Sequence, residues 1–284
     1  MSQQAVIIIG APRSGTNMLR DILCRFEGVA TWPCDEINYI WRYNNADYAS
    51  DEIPSDLASS KVKKYILNKF DWVAKTYNAH TVIEKTCANS LRVPFVSQVV
   101  PDAKYIFIYR DGLDVVGSAK LRWKAKLDIP YILKKVRFVP LLDIPYYALR
   151  YFGNHIYRFF SKEKRLAFWG PVFADTQHYL ENYSLDEVCA IQWQRCVEST
   201  SKALEKISSE NVIRVKYEDF VYAPVENTTR LLDFLKLEIC KDSIEKKVSG
   251  VSNKNVGKGR ASLSNEDIAR LDALIGGTLR KYGY

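Results

Sequence analysis

The sequence predicts an α/β protein in which a central parallel β-sheet is flanked by helices on both faces, a three-layer arrangement. Three observations carry that prediction. Four short β-rich runs, Ala5–Ile9, Thr81–Glu84, Tyr105–Tyr109 and Val212–Lys216, are separated by helical patterns, and strands that alternate with helices pair in parallel through crossovers. The first run passes through a glycine-bearing turn, Gly10 to Gly15, straight into a helical pattern beginning at Met18. The composition, 47% hydrophobic and 26% charged over 284 residues, is that of a globular chain long enough for one sizeable domain.

Taken in order, Ala5–Ile9 is continuously apolar, as a strand covered on both faces should be. Helical patterns follow over Asp56–Tyr77, Ser90–Val99 and Asp114–Trp123. Two later helices have readable starts. Ser184-Leu185-Asp186-Glu187 is a capping box ahead of Val188, Ile191, Trp193, Cys196, Val197 and Leu204. Ser264-Asn265-Glu266-Asp267 is a second capping signal, ahead of Ile268, Leu271, Leu274 and Leu279. From about residue 124 to 183 the pattern changes. Aromatic residues such as Tyr131, Phe138, Tyr147, Phe152 and Trp169 interleave with Lys and Arg, and Pro130, Pro140, Pro145 and Pro171 break any period. This stretch reads as a helical or irregular aromatic-basic insertion packed on the sheet. Residues 1–284 are therefore expected to form a single domain.

Several function classes fall away on composition. Met1-Ser2-Gln3-Gln4 offers neither the basic nor the apolar segment of a secretory signal. No run approaches the ~20 apolar residues of a spanning helix, so a cytoplasmic location is expected. The six cysteines show no C-x-x-C pair and no metal-type spacing, which favours reduced thiols. His80, His155 and His178 are scattered, and lone histidines are more often structural. No metal site and no nucleic-acid partner are expected. The net charge of +8 suits an anionic ligand, and equally a general attraction to anionic polymers or membrane surfaces.

The chemistry is concentrated in three short segments. Gly10-Ala11-Pro12-Arg13-Ser14-Gly15-Thr16-Asn17 is a P-loop-like strand–turn–helix junction, which aims backbone N–H groups at a phosphate. The lysine of an ATP-hydrolysing loop would stand where Thr16 is, and the cation is instead Arg13, inside the turn. Arg110 ends the third strand, and Ser118 lies about two turns into the next helix. The two can converge on one phosphate in the crevice at the strands' carboxyl ends, or Arg110 can pair with Asp111 or Asp114. Near the C-terminus, Asn255-Val256-Gly257-Lys258-Gly259-Arg260 mixes two cations with two glycines. It suits close approach to a phosphate and equally an exposed polar loop.

In this order and spacing the three segments resemble the sulfotransferases that use 3′-phosphoadenosine 5′-phosphosulfate (PAPS). Pro12-Arg13-Ser14-Gly15-Thr16 is similar to that family's 5′-phosphosulfate loop, Arg110 and Ser118 to its 3′-phosphate motif, and Val256-Gly257-Lys258-Gly259-Arg260 to its C-terminal loop. The resemblance is greatest to the bacterial branch that also resembles tyrosylprotein and carbohydrate sulfotransferases, where Arg replaces the loop Lys of the steroid and phenol enzymes. It implies a donor site of Pro12, Arg13, Ser14, Gly15, Thr16, Asn17, Arg110, Ser118, Tyr217, Gly257, Lys258, Gly259 and Arg260. Cys34-Asp35-Glu36 matches the place of a general base, nominating Glu36, with an ion pair to Arg42 as the structural alternative. Glu84-Lys85-Thr86 matches the segment supplying a catalytic Lys, nominating Lys85 beside Arg13. Tyr217 in Val215-Lys216-Tyr217-Glu218-Asp219 matches a nucleotide contact. No histidine stands where the steroid-type enzymes keep their base.

The implied reaction is in-line transfer of a sulfuryl group from PAPS, as co-substrate, to an acceptor hydroxyl. The aromatic-basic insertion suggests a carbohydrate or glycolipid acceptor, with a peptide tyrosine next and peripheral membrane contact in view. A P-loop nucleoside or nucleotide kinase and a non-catalytic nucleotide-binding module are the rival readings.

Overall fold

The computed structural model describes residues 3–123, 135–149, 152–153, 166 and 168–284. Much of the predicted insertion, including Tyr131 and Pro130, lies outside the described residues. Five strands, β1 (Gln4–Ile9), β2 (Val29–Ala30), β3 (Thr81–Lys85), β4 (Lys104–Tyr109) and β5 (Val212–Lys216), form one sheet in the order β2-β3-β1-β4-β5. Every pairing is parallel. The four strands expected from the sequence are present, within a residue or so of their anticipated ends. The two-residue edge strand β2 is too short to leave a period in the sequence.

The alternation of side chains along each strand builds two cores. Ile7 and Ile9 of β1, with Tyr105 and Phe107 of β4, face the helices α3 (Ser60–Tyr77), α4 (Val93–Val99) and α7 (Leu185–Leu204). Val6 and Ile8, with Ile106 and Ile108, face α1 (Thr16–Leu23), α8 (Tyr217–Tyr222), α9 (Pro224–Phe234) and α10 (Lys241–Val248). This is why the strands read as unbroken apolar runs. Between these groups lie α2 (Asn38–Trp41), α5 (Gly112–Trp123) and α6 (Thr176–Asn182), and the chain closes with α11 (Lys258–Ala261) and α12 (Asn265–Lys281).

Several helix starts differ from the periodicity. The pattern over Asp56–Tyr77 splits into a 3-10 turn at Ser55–Leu57 and α3, because the Ser59 side chain accepts from the Val62 amide and restarts the helix. Ser90–Val99 likewise divides into a 3-10 turn over Cys87–Leu91 and α4, with Pro94 in the first helical turn. Both capping boxes form: Ser184 with Glu187 opens α7, and Ser264 with Asp267 opens α12.

The strand order matters for the site. From β1 the chain runs outward to β2 and β3 on one side, and β4 and β5 continue on the other. The crevice at the carboxyl end of β1 is thus a topological switch point, where loops diverge and ligands enter. Gly10–Gly15, Lys85, Arg110 and Tyr217 all sit at strand carboxyl ends.

Candidate functional site

The turn after β1 folds with two residues in the left-handed region, Arg13 at φ 69° and Gly15 at φ 91°. Gly15 is the N-cap of α1. Its lack of a side chain is required twice, because a Cβ there would lie 2.5 Å from the Tyr217 ring. Gly15→Ala is therefore expected to cost roughly 2 kcal/mol or more, combining backbone strain with overpacking. Equilibrium unfolding in urea measures it; a loss within experimental scatter would show that the turn is not so constrained.

The Arg13 guanidinium turns toward α5, where its Nε–H donates to Ser118 Oγ at 2.9 Å. Burial above all, and then the nearby Arg122 and Arg110, lowers the pKa of this guanidinium. The Arg110 guanidinium lies over the Tyr217 ring, 4.4 Å from its centroid. It also donates to the Arg13 and Asn255 carbonyl oxygens. Its partner among the carboxylates is Asp114, at 2.9 Å. The pairing that competed with the ligand reading is therefore present, but both residues are buried and Arg110 still lines the cleft.

Lys85, at the end of β3, meets Glu36 at 3.0 Å. The Glu36 oxygen also accepts from the Cys87 amide at 3.4 Å. Burial opposes ionisation of Glu36, but Lys85 and Lys135 outweigh it and pull the carboxyl down to about 2. Lys85 is nearly fully buried; burial alone would lower its pKa, and Glu36 reverses this and raises it. Arg42, the alternative partner for Glu36, instead binds Asp51 at 2.9 Å. The sequence could not choose between them, since both depend on how the loop after β2 folds back.

Behind this pair lies a buried polar cluster that positions it. Asp51 holds Arg42, Arg92 and Asn38, and accepts from the Val172 amide at 2.9 Å. Glu84, fully buried one residue before Lys85, accepts from Thr86 and Asn89. Thr86 in turn accepts from the Ile37 amide at 3.3 Å, tethering the segment that carries Glu36. Burial pushes the Glu84 carboxyl up to about 7. A raised carboxyl pKa means that the folded protein holds a proton which the unfolded chain releases above about 4.5. Stability should therefore fall as pH rises from about 4.5 to about 7, by about 3 kcal/mol in all. Glu84→Gln is expected to flatten that slope. Urea midpoints for both proteins at pH 5 and pH 8 test it, and parallel slopes would refute it.

These residues surround one cleft of about 1480 Å³, into which Pro12, Arg13, Gly15, Thr16, Asn17, Glu36, Lys85, Arg110 and Tyr217 all face. The remaining nominated residues stand behind it or away from it. Ser118 supports Arg13 from α5. Ser14 is fully buried, and its Oγ has no partner among the described residues. The segment at Gly257–Arg260 folds differently from the loop anticipated. Lys258–Ala261 is a helical turn, α11, because Asp114 caps its start by accepting from the Gly257 and Arg260 amides. Gly259 permits close packing on α5, since its Cβ would fall 2.1 Å from the Asp114 carbonyl oxygen. The Arg260 guanidinium is held by Asp111 at 3.0 Å, and Lys258 is exposed.

Sequence reasoning offered Asp114 only as a competing partner for Arg110 and missed its role as the node that joins Arg110 to α11. Its signal was present as a carboxylate four residues after Arg110, on one helical face. Lys135, Arg122 and Lys254 also line the cleft and carry no motif that could have exposed them. Trp193 supports the site from α7, donating its indole N–H to the Arg110 carbonyl oxygen at 3.1 Å. Among the described residues no three His, Cys, Asp or Glu side chains gather as a metal site would require, and all six cysteines are free.

Solved structures share this fold. The sulfotransferase domain of the curacin biosynthetic pathway aligns with a TM-score of 0.57 at 11% identity, over 97% of this chain and 98% of its own. The sulfotransferase domain of a Synechococcus olefin synthase gives 0.55 at 14%, over 100% and 96%. A mouse sulfotransferase complexed with PAP gives 0.53 at 13%, over 100% and 90%. No curated protein matches the sequence. The sequence model of the sulfotransferase family, however, matches residues 5–162 and 154–242. A parallel sheet with cations gathered in the crevice where its strands end, and a family match over most of the chain, lead to one assignment: this chain belongs to the sulfotransferase family.

Proposed function

We propose that the chain transfers a sulfuryl group from PAPS to an acceptor hydroxyl, borne by a carbohydrate or glycolipid. The observation that carries this reading is the meeting of Arg13, Lys85 and Arg110 with Glu36 in a single cleft at the switch point of the sheet. The residues fit the donor. Among the described residues, no side chain caps the α1 amides, and Ser14 Oγ and Arg110 Nε are buried without partners. PAPS supplies an activated sulfuryl group on a phosphate leaving group.

The protein's own part is alignment and charge stabilisation. The amides of Gly15 to Asn17 and the Thr16 hydroxyl would hold the 5′-phosphate at the start of α1. Arg13 and Lys85 would face the oxygens on which negative charge grows. Arg110, fixed by Asp114 and stacked on Tyr217, would hold the 3′-phosphate with Ser118, and α11 with Gly257, Lys258 and Arg260 would close that side. Glu36 would accept the acceptor's hydroxyl proton. Its ion pair with Lys85 keeps it ionised and ready. Fixed guanidinium and ammonium groups serve where phosphoryl-transfer enzymes use magnesium.

The test has two stages. Thermal unfolding should shift upward with adenosine 3′,5′-bisphosphate and not with magnesium–ATP, and the reverse result would remove the donor assignment. Incubation with labelled PAPS and separated polysaccharide, lipid and peptide pools should then label the polysaccharide or lipid pool. Label confined to peptide tyrosine would sink the acceptor assignment.

A further inference from the structure

The positive charge of this chain is not spread over it. Between residues 120 and 165 there are twelve Lys or Arg against three Asp or Glu, a net of +9; the whole chain carries +8, leaving −1 for all other positions. Among the described residues, the same stretch holds most of the large apolar side chains that face solvent. Leu121 is 74% exposed, Leu141 83%, Leu149 76% and Phe152 58%, with Val136 and Tyr146 also exposed. Residues of this kind normally lie inside; several together mark a contact surface. Their place is informative. Arg122, Val136 and Phe152 line the mouth of the cleft that holds Glu36 and Lys85, and they are at the same time exposed. Val139, Ile144, Tyr147, Phe168 and Trp169 also line this cleft.

We infer that this rim docks the enzyme onto the surface of an anionic lipid bilayer, so that the acceptor hydroxyl enters the cleft from a membrane-borne molecule. The inference rests on the sulfotransferase reading for the reaction and narrows its acceptor to a lipid. Among the described residues, exposed Arg122 follows exposed Leu121 and exposed Arg137 follows exposed Val136, and cations next to aliphatic side chains fit a bilayer interface: the first attract anionic headgroups, and the second enter the acyl boundary. A sulfated or acidic polysaccharide would satisfy the cations but would leave Leu121, Leu141 and Leu149 in water. The leucines therefore decide between the two partners. No helix among the described residues is long and apolar enough to cross a membrane, and interfacial docking needs none.

Co-sedimentation of the full chain with vesicles tests the inference. Binding is expected to phosphatidylglycerol-containing vesicles, weakly or not at all to phosphatidylcholine alone, and to diminish with salt. Leu121 and Leu149 do not line the cleft, so Leu121→Asp with Leu149→Asp should leave the cleft intact. The double variant is expected to bind anionic vesicles at least tenfold more weakly, from lost apolar burial and headgroup repulsion. Its thermal shift with adenosine 3′,5′-bisphosphate should be unchanged, which separates loss of docking from failure of the donor site. Absence of vesicle binding by the wild type would overturn the inference. So would vesicle binding unaffected by the double substitution, or capture by a sulfated polysaccharide in place of vesicles.

Discussion

Glu36→Gln should lower kcat by about 10²–10⁴-fold, the usual contribution of a positioned general base, while leaving the affinity for adenosine 3′,5′-bisphosphate within about threefold. The amide is nearly the same shape, so it can still accept from the Cys87 amide, but it cannot take a proton from a hydroxyl. The substitution also removes the partner of Lys85, an ammonium almost fully buried at the end of β3. Lys85 would then lose the ion pair that raises its pKa, and some stability should be lost with it. A pH profile separates chemistry from structure. In the free protein Glu36 ionises at about 2, and kcat/KM reports groups of the free enzyme. The profile should therefore show no acid limb from Glu36 between pH 5 and 8. Activity of Glu36→Gln near the wild-type level would transfer the proton to another acceptor; an acid limb near pH 6 that vanishes in the variant would show that Lys85 does not hold Glu36 as described.

Asp114→Ala should give the largest loss of stability, about 3–5 kcal/mol, the range for breaking one side of a buried ion pair. One carboxylate, 1% exposed, accepts from Arg110, from the Gly257 amide and from the Arg260 amide. Removing it leaves the Arg110 guanidinium buried without a counter-charge and two amides at the start of α11 without acceptors. The functional consequence follows the same path. Arg110 loses the partner that fixes it on Tyr217, and α11 loses its anchor on α5. Affinity for adenosine 3′,5′-bisphosphate should thus fall by about tenfold or more, whereas Asp111→Ala, which releases the half-exposed Arg260 and one amide, that of Leu113, should cost less stability. Urea unfolding and calorimetric titration measure the two effects. A stability loss under about 1 kcal/mol would show that water replaces the carboxylate, and Asp114 would not be the node described.

The Lys85–Glu36 pair shows where sequence reading stops. Each residue was nominated separately, from segments 49 positions apart. Their contact depends on the loop after β2 returning to the end of β3 through Thr86 and the Ile37 amide. That loop has no period, so nothing in its sequence distinguishes Lys85 from Arg42 as the partner of Glu36. Gly257–Arg260 is the opposite case. Two glycines beside two cations invited a ligand-facing reading of all four, but Gly259 is small because it packs on α5, and Arg260 answers Asp111. A glycine chosen for packing and one chosen for a ligand look the same in sequence.

By itself the sequence determined the layers of the fold, because apolar runs, glycine turns and capping boxes act over a few residues and keep their meaning wherever the chain goes. It likewise determined the cation in the turn after β1, since Arg13 follows directly from the strand–turn–helix pattern. Only the tertiary structure decided which charges share a cleft, which are consumed in holding the walls, and which apolar side chains such as Val136 and Phe152 stand exposed at its mouth. Those outcomes rest on contacts between distant segments and on burial. The same Arg or Asp is a surface ornament in water and a fixed electrostatic element at the switch point of the sheet.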